Sequence, residues 1–226
     1  MIRAIQLFLI MAVLSLPHYG QSSPPPPRSD NQFWNETQLI VNLSKRQDLV
    51  LIGGIRIGQG WNRPVDERIG AGVAFKINKY LTIQPTYFFI AYQPFPGREF
   101  TEHRAIMNVT GKFKVRQFTI ADRNLIEQRI RPAGRDFTTY RNRLMIDHPV
   151  RLGSLRFNPF VSNEAWYTTQ PVATGRFGWS RNRLGVGILK QFTPKFYAEF
   201  LYLRQNDGLS RPGNIHSVMT FFRYTL

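Results

Sequence analysis

The side chains in this sequence that could move protons are few and scattered. Beyond residue 18 the histidines are His103, His148 and His216. Glu102 precedes His103 and Asp147 precedes His148, and a histidine paired with a carboxylate is the working unit of general acid–base and serine-type catalysis. Neighbours along an extended strand point to opposite faces, so neither pair meets if its segment is a strand. No nucleophile motif or metal-ligand spacing accompanies them. The chain contains no cysteine, which removes a thiolate nucleophile, a thiolate metal site, a disulfide framework and a lipidated N-terminal cysteine. The expectation is no catalytic residue, no metal and no cofactor.

The remaining chemistry is ionic. Lys and Arg number 30 against 14 Asp and Glu, a net charge of +16. Guanidinium forks bind carboxylates and phosphates through paired hydrogen bonds. A chain this basic suits nucleic acid, an acidic lipid surface or a positively lined cavity. The N-terminus argues against nucleic acid. Arg3, an apolar stretch from Ala4 to Leu16, Pro17 and the small residues around Gly20 to Ser23 have the layout of a secretory signal peptide. Residues 1–22 are read as that signal, with cleavage after Ser22. Residues 23–31, which include Pro24 to Pro27, are read as a stiff spacer. Residues 32–226 form one domain.

That domain shows period-two alternation broken by Gly, Pro, Asn and Asp, and no good amphipathic helix. Candidate strands run over 33–43, 49–57, 68–76, 81–92, 102–114, 118–131, 138–148, 155–167, 179–190, 196–205 and 214–226. Most are close to the ~9–11 residues that a tilted strand needs to cross a bilayer. Short connections, such as Lys45-Arg46-Gln47 and Asn78-Lys79, alternate with longer ones over 58–67, 93–101, 132–137, 168–178 and 206–213. This predicts an all-β fold, an antiparallel up-and-down transmembrane β-barrel of 10–12 strands, with twelve preferred because single-chain bacterial barrels have even numbers. Arg68-Ile69-Gly70-Ala71-Gly72-Val73 followed by Tyr87 resembles Arg183-Leu184-Gly185-Val186-Gly187-Ile188 followed by Tyr202. Arg-Asn recurs at Arg123-Asn124, Arg141-Asn142-Arg143 and Arg181-Asn182-Arg183. Both read as equivalent hairpins repeated around a barrel.

Alternation fits a soluble barrel or a membrane barrel turned inside out, and other features choose the second. Ile69, Ala71, Val73 and Phe75 oppose Arg68, Gly70, Gly72 and Lys76; glycine beside arginine leaves room for a long side chain in a narrow lumen. Val218, Thr220, Phe222, Tyr224 and Leu226 share one face of the last segment, the kind of terminal strand that the barrel-assembly machinery reads. Trp34, Tyr80, Tyr92, Tyr140, Tyr167 and Trp179 fall near strand ends, where a girdle places amphipathic rings. The charges assigned to the lumen are Glu36, Arg56, Arg68, Arg104, Arg123, Glu127, Arg129, Arg141, Arg143, Glu164, Arg181, Arg183 and Glu199.

In Phe33-Trp34-Asn35-Glu36, Asp66 to Gly72, Asp122-Arg123-Asn124 with Glu127 and Arg129, Tyr140 to Leu144, Asn163-Glu164, Trp179 to Arg183 and Tyr202 to Asp207, the chain resembles the outer-membrane β-barrels known as domain of unknown function 2490. The resemblance covers nearly all of residues 32–226 and implies the fold and the outer membrane of a Gram-negative bacterium; it carries no activity. The leading functional expectation is a small porin-like pore or structural barrel with an arginine-rich lumen, where an ion-pair network or an anion-drawing ladder are the two readings of the arginines. The alternative is an enzyme acting on lipid or peptide at the barrel rim. Expected partners are outer-membrane lipid and lipopolysaccharide, the latter through Arg98, Arg135 and Arg211, together with the assembly machinery and small anions.

Overall fold

The computed structural model describes residues 27–132, 134–172, 176–207 and 212–226. The segment read as a signal peptide, most of the proline-rich segment and Arg211 lie outside the described residues. Twelve strands follow in chain order. They are β1 (Ser29–Asn42), β2 (Gln47–Gly58), β3 (Arg63–Lys76), β4 (Leu81–Phe95), β5 (Arg98–Val115) and β6 (Phe118–Ile130). The rest are β7 (Phe137–Asp147), β8 (Val150–Leu152), β9 (Leu155–Val172), β10 (Arg176–Thr193), β11 (Phe196–Asn206) and β12 (Asn214–Thr225). Strand β1 starts inside the segment read as spacer.

Each barrel strand hydrogen-bonds antiparallel to its neighbour, and β12 closes the ring against β1. That closing pair is parallel, with Ser29 opposite Asn214 and Ile40 opposite Thr225. The cylinder itself therefore has eleven strands, with β8 as the twelfth outside it. An odd ring of up-and-down strands brings the first and last together in the same direction, which a parallel ladder accommodates. Strand β8 cannot restore even parity. Its three residues pair only with the start of β9, Leu152 against Leu155 and Val150 against Phe157, as a small arm on the short-turn rim.

Local chemistry fixes the ends of the strands. The turn after β3 is an Asx turn, with the Asn78 side-chain oxygen accepting the amides of Tyr80 at 2.8 Å and Leu81 at 2.9 Å. At the opposite rim the Asp30 carboxylate accepts the amides of Gln59 at 2.9 Å and Gly60 at 3.0 Å. This ties the start of β1 to the loop after β2, where Gln59 and Trp61 both have positive φ.

The alternation turns charge inward and apolar surface outward. On β10, Arg183, Gly185 and Leu189 are buried while Leu184, Val186 and Ile188 are exposed. The interior is not uniformly polar. Ile40, Val50, Ile52 and Ala74 pack together close to the short turns, backed by Phe88. Trp34, Phe160, Leu189, Leu201, Leu203 and Ile215 form a second cluster on β1 and β9 to β12.

Two expectations need correction. Trp34 and Tyr92 belong to no outward girdle: Trp34 shares the inward parity of Gln32 and is 2% exposed, and Tyr92 stacks on Phe100 with centroids 4.9 Å apart while bonding to the buried Arg104. Tyr80, Tyr167 and Trp179 are exposed near strand ends. Gly70, Gly72, Gly185 and Gly187 do face inward, but none of these four abuts an arginine. A methyl group on Gly70 would stand 2.5 Å from the Phe88 ring, and one on Gly185 2.8 Å from the Ser162 hydroxyl. The space goes to side chains of the adjacent strand.

Candidate functional site

The inward face of β5, β6, β7, β9 and β10 carries a continuous arginine–carboxylate network. Glu102, fully buried, accepts from Arg104 Nε at 2.5 Å, from Arg129 Nε at 2.8 Å and Nη2 at 2.9 Å, and from Arg131 Nε at 2.8 Å. Arg104 also reaches Glu127 at 2.8 Å. Arg141 then bridges Glu127 at 3.1 Å and Glu164 at 2.8 Å. Glu164 is shared with Arg123 at 3.0 Å and Arg183 at 3.3 Å. Two further pairs stand beside this chain: Asp66 with Arg68 and Arg56, and Asp207 with Arg181. Strand alternation does the positioning, because residues two apart share a face.

Aromatic rings supply the other surface of the network. The Trp166 ring lies 4.1 Å from the Arg141 guanidinium, 4.4 Å from Arg181 and 4.5 Å from Arg183. Trp34 stands 4.0 Å from Arg56 and 4.9 Å from Arg183. Phe137 serves Arg129 and Arg131. These contacts matter because guanidinium groups outnumber carboxylates here, and a ring quadrupole attracts a cation that lacks an anion. Among the described residues five buried donors still have no acceptor: Arg123 Nε, Arg141 Nε, Arg183 Nη2, Trp166 Nε1 and the Thr139 hydroxyl. Around Glu164 the packed interior is thus rich in cationic donors.

Every charge assigned to the lumen from the sequence faces inward, but three stand apart from the ion pairs. Glu36 accepts from Gln38 at 3.0 Å and Glu199 from Tyr197 at 2.7 Å. Arg143 contacts the Met145 sulfur at 3.8 Å. Sequence reasoning missed Asp66, Glu102, Arg131 and Asp207 as network members. Asp66 with Arg68, and Glu102 with Arg104, carried a usable signal, an acid two residues before an arginine in an alternating segment. Asp207 had none, since its partner lies 26 residues away.

The histidines lie outside this network. His103 faces outward from β5 with its Nδ1 2.5 Å from the Tyr87 hydroxyl, and His216 on β12 repeats the arrangement with Tyr202 at 2.5 Å. His148 follows β7 and packs its ring on Phe118. Glu102 and Asp147 point into the lumen, so neither pairs with the histidine after it. Among the described residues no group of three His, Asp or Glu side chains could hold a metal ion. Arg98 and Arg135 are exposed at the long-loop rim. Val218, Phe222 and Tyr224 point outward on β12, and the Leu226 amide donates to Ile40 at 3.0 Å, extending the β1 seam.

The barrel is similar to that of LpxR from Salmonella typhimurium, with a TM-score of 0.48 and 7% sequence identity over 78% of this chain and 83% of that one. No curated protein matches the chain. The profile of one family matches residues 31–214, the greater part of the sequence, and by that match the chain belongs to the family described as "Protein of unknown function (DUF2490)".

Proposed function

We propose that this chain is a structural barrel of the Gram-negative outer membrane whose lumen is sealed. The observation that carries the reading is the polarity of the wall. Exposed Ile69, Met107, Ile126, Val186 and Val218 cover the outside while the arginines are turned in. An arginine facing lipid at mid-bilayer costs roughly 2–4 kcal/mol, so this arrangement suits acyl chains and would be unfavourable in water. Outward Arg204 lies two residues from the end of β11, within reach of headgroups.

Burial supports the seal. Glu102 and Glu127 are 0% exposed, and Val50 and Trp34 only 2%; a water column through the barrel would leave such residues accessible. Every lysine, from Lys45 to Lys195, lies on or close to a short turn, which suits the anionic phospholipid headgroups of the inner leaflet. The long-loop rim bears exposed arginines, Arg28, Arg98 and Arg135, suited to bidentate contact with lipopolysaccharide phosphates. The expected result in planar bilayers is insertion without discrete conductance steps. Reproducible unitary channels from the purified full chain would overturn the seal.

A second reading, a rim enzyme acting on lipid or peptide, draws on the repeated Tyr87–His103 and Tyr202–His216 pairs. It requires release of fatty acid or peptide by the purified barrel, lost in both His103→Ala and His216→Ala.

A further inference from the structure

The recurring Arg-Asn dipeptide has a second half that the lumen does not use. Alternation sends each arginine inward and each asparagine out. Asn124 lies mid-way along β6 and Asn142 mid-way along β7, directly opposite one another. Asn182 on β10 and Asn163 on β9 continue the row on the same outward face, both exposed. Asp122 and Tyr140 complete it. Elsewhere the outward mid-strand residues are largely apolar, except at the β12–β1 seam, where Asn35 bonds Thr220.

The hydrogen bonds inside this patch leave a definite remainder. Asp122 accepts from Asn142 at 2.6 Å and from Asn124 at 2.9 Å, so both carboxylate oxygens have donors from their own chain. Asn142 directs its amide nitrogen into the cluster, toward Asp122 and toward Asn124 at 3.0 Å. Its side-chain oxygen is left as an acceptor facing out. Asn163 and Asn182 bond each other reciprocally at 3.1 Å, each spending one of its two amide hydrogens. Free donors therefore stand on β9 and β10, and a free acceptor on the adjacent β7.

We infer that this sector, β6–β7–β9–β10, is the interface with a second copy of the same chain, a two-fold dimer in the plane of the membrane. The inference rests on the membrane reading above, because acyl chains offer nothing to hydrogen-bond. Amides carry donor and acceptor together, so the patch is self-complementary. A two-fold axis parallel to the barrel axis and between β7 and β9 sets β7 of one copy against β9 of the other, and Asn142 against Asn163 in both directions. The surrounding exposed Ile126, Leu144, Val161 and Leu184 supply the apolar rim of the contact.

The absence of cysteine makes the test direct. Asn142→Cys and Asn163→Cys chains are purified separately, mixed in detergent or liposomes, and oxidised. The expected result is a covalent dimer that forms in the mixture well beyond either variant alone, and none from Ile69→Cys on the far wall. Asn142→Leu/Asn163→Leu should lose the dimer by mass measurement in detergent yet keep the heat-dependent gel mobility of an intact barrel. A monomeric wild-type chain that fractionates with membranes and does not cross-link overturns the dimer alone. Cross-linking in cells to a different protein overturns it in favour of that partner. A wild-type chain that fractionates as soluble protein overturns the membrane reading and the dimer with it.

Discussion

Glu102 accepts hydrogen bonds from three arginines, and Glu127 and Glu164 are each shared by more than one. Deleting Glu102 strands guanidinium groups that are largely out of water, Arg104 at 5% and Arg129 at 12% exposure. Breaking a buried ion pair from one side costs about 3–5 kcal/mol, because the abandoned charge stays buried. Glu102→Gln should therefore lower unfolding stability by that amount, read as a fall in the urea midpoint for loss of heat-dependent gel mobility. Asp48 provides the contrast at the short-turn rim. Its partner Lys76 is 43% exposed, and a solvated pair of this kind contributes only about 0–1 kcal/mol. Asp48→Asn should leave the midpoint nearly unchanged. Equal losses from the two substitutions would mean that water enters the lumen around Glu102.

Strands impose their own test through the inward glycines. A methyl group on Gly70 would meet the Phe88 ring at 2.5 Å and the Tyr87 carbonyl at 2.6 Å, whereas one on outward Gly53 meets nothing within 4 Å. Gly70→Ala should destabilise by about 1–3 kcal/mol, the usual cost of overpacking. Gly53→Ala should be neutral or slightly stabilising, by up to about 1 kcal/mol, since it removes unfolded-state freedom. Denaturant midpoints of the two variants check this, and a reversal of their order would place β3 in the wrong register. At this scale the sequence was highly legible. The segments expected at 81–92, 118–131 and 196–205 are β4, β6 and β11 to within a few residues, because period-two alternation is a local signal. The three-residue β8 was missed, being too short to alternate. Cross-strand partnerships were illegible for a different reason: Arg123 meets Glu164 across 41 residues, and only the register of three strands brings them together. The aromatics misled because a ring at a strand end serves a headgroup layer or an arginine equally well, and parity alone assigned Trp34 to the lumen.

For the molecule as a whole, odd strand number has a consequence that an even ring lacks. Strand β1 begins beside the long loops, with Ser29 opposite Asn214, and β12 ends beside the short turns, with Thr225 opposite Ile40. The two ends of the cylinder wall therefore lie at opposite rims. Asp30 fastens the first of them by capping the amides of Gln59 and Gly60 in the loop after β2. If the lysine-bearing turns face the inner leaflet, a peptide epitope inserted just ahead of Ser29 stands on the cell surface. One appended after Leu226 stands in the periplasm. Antibody labelling of intact cells should detect the first and miss the second until the outer membrane is permeabilised. The opposite pattern would reverse the barrel in the membrane, while detection of neither epitope before permeabilisation would mean that β1 and β12 run antiparallel, in a ring of even number.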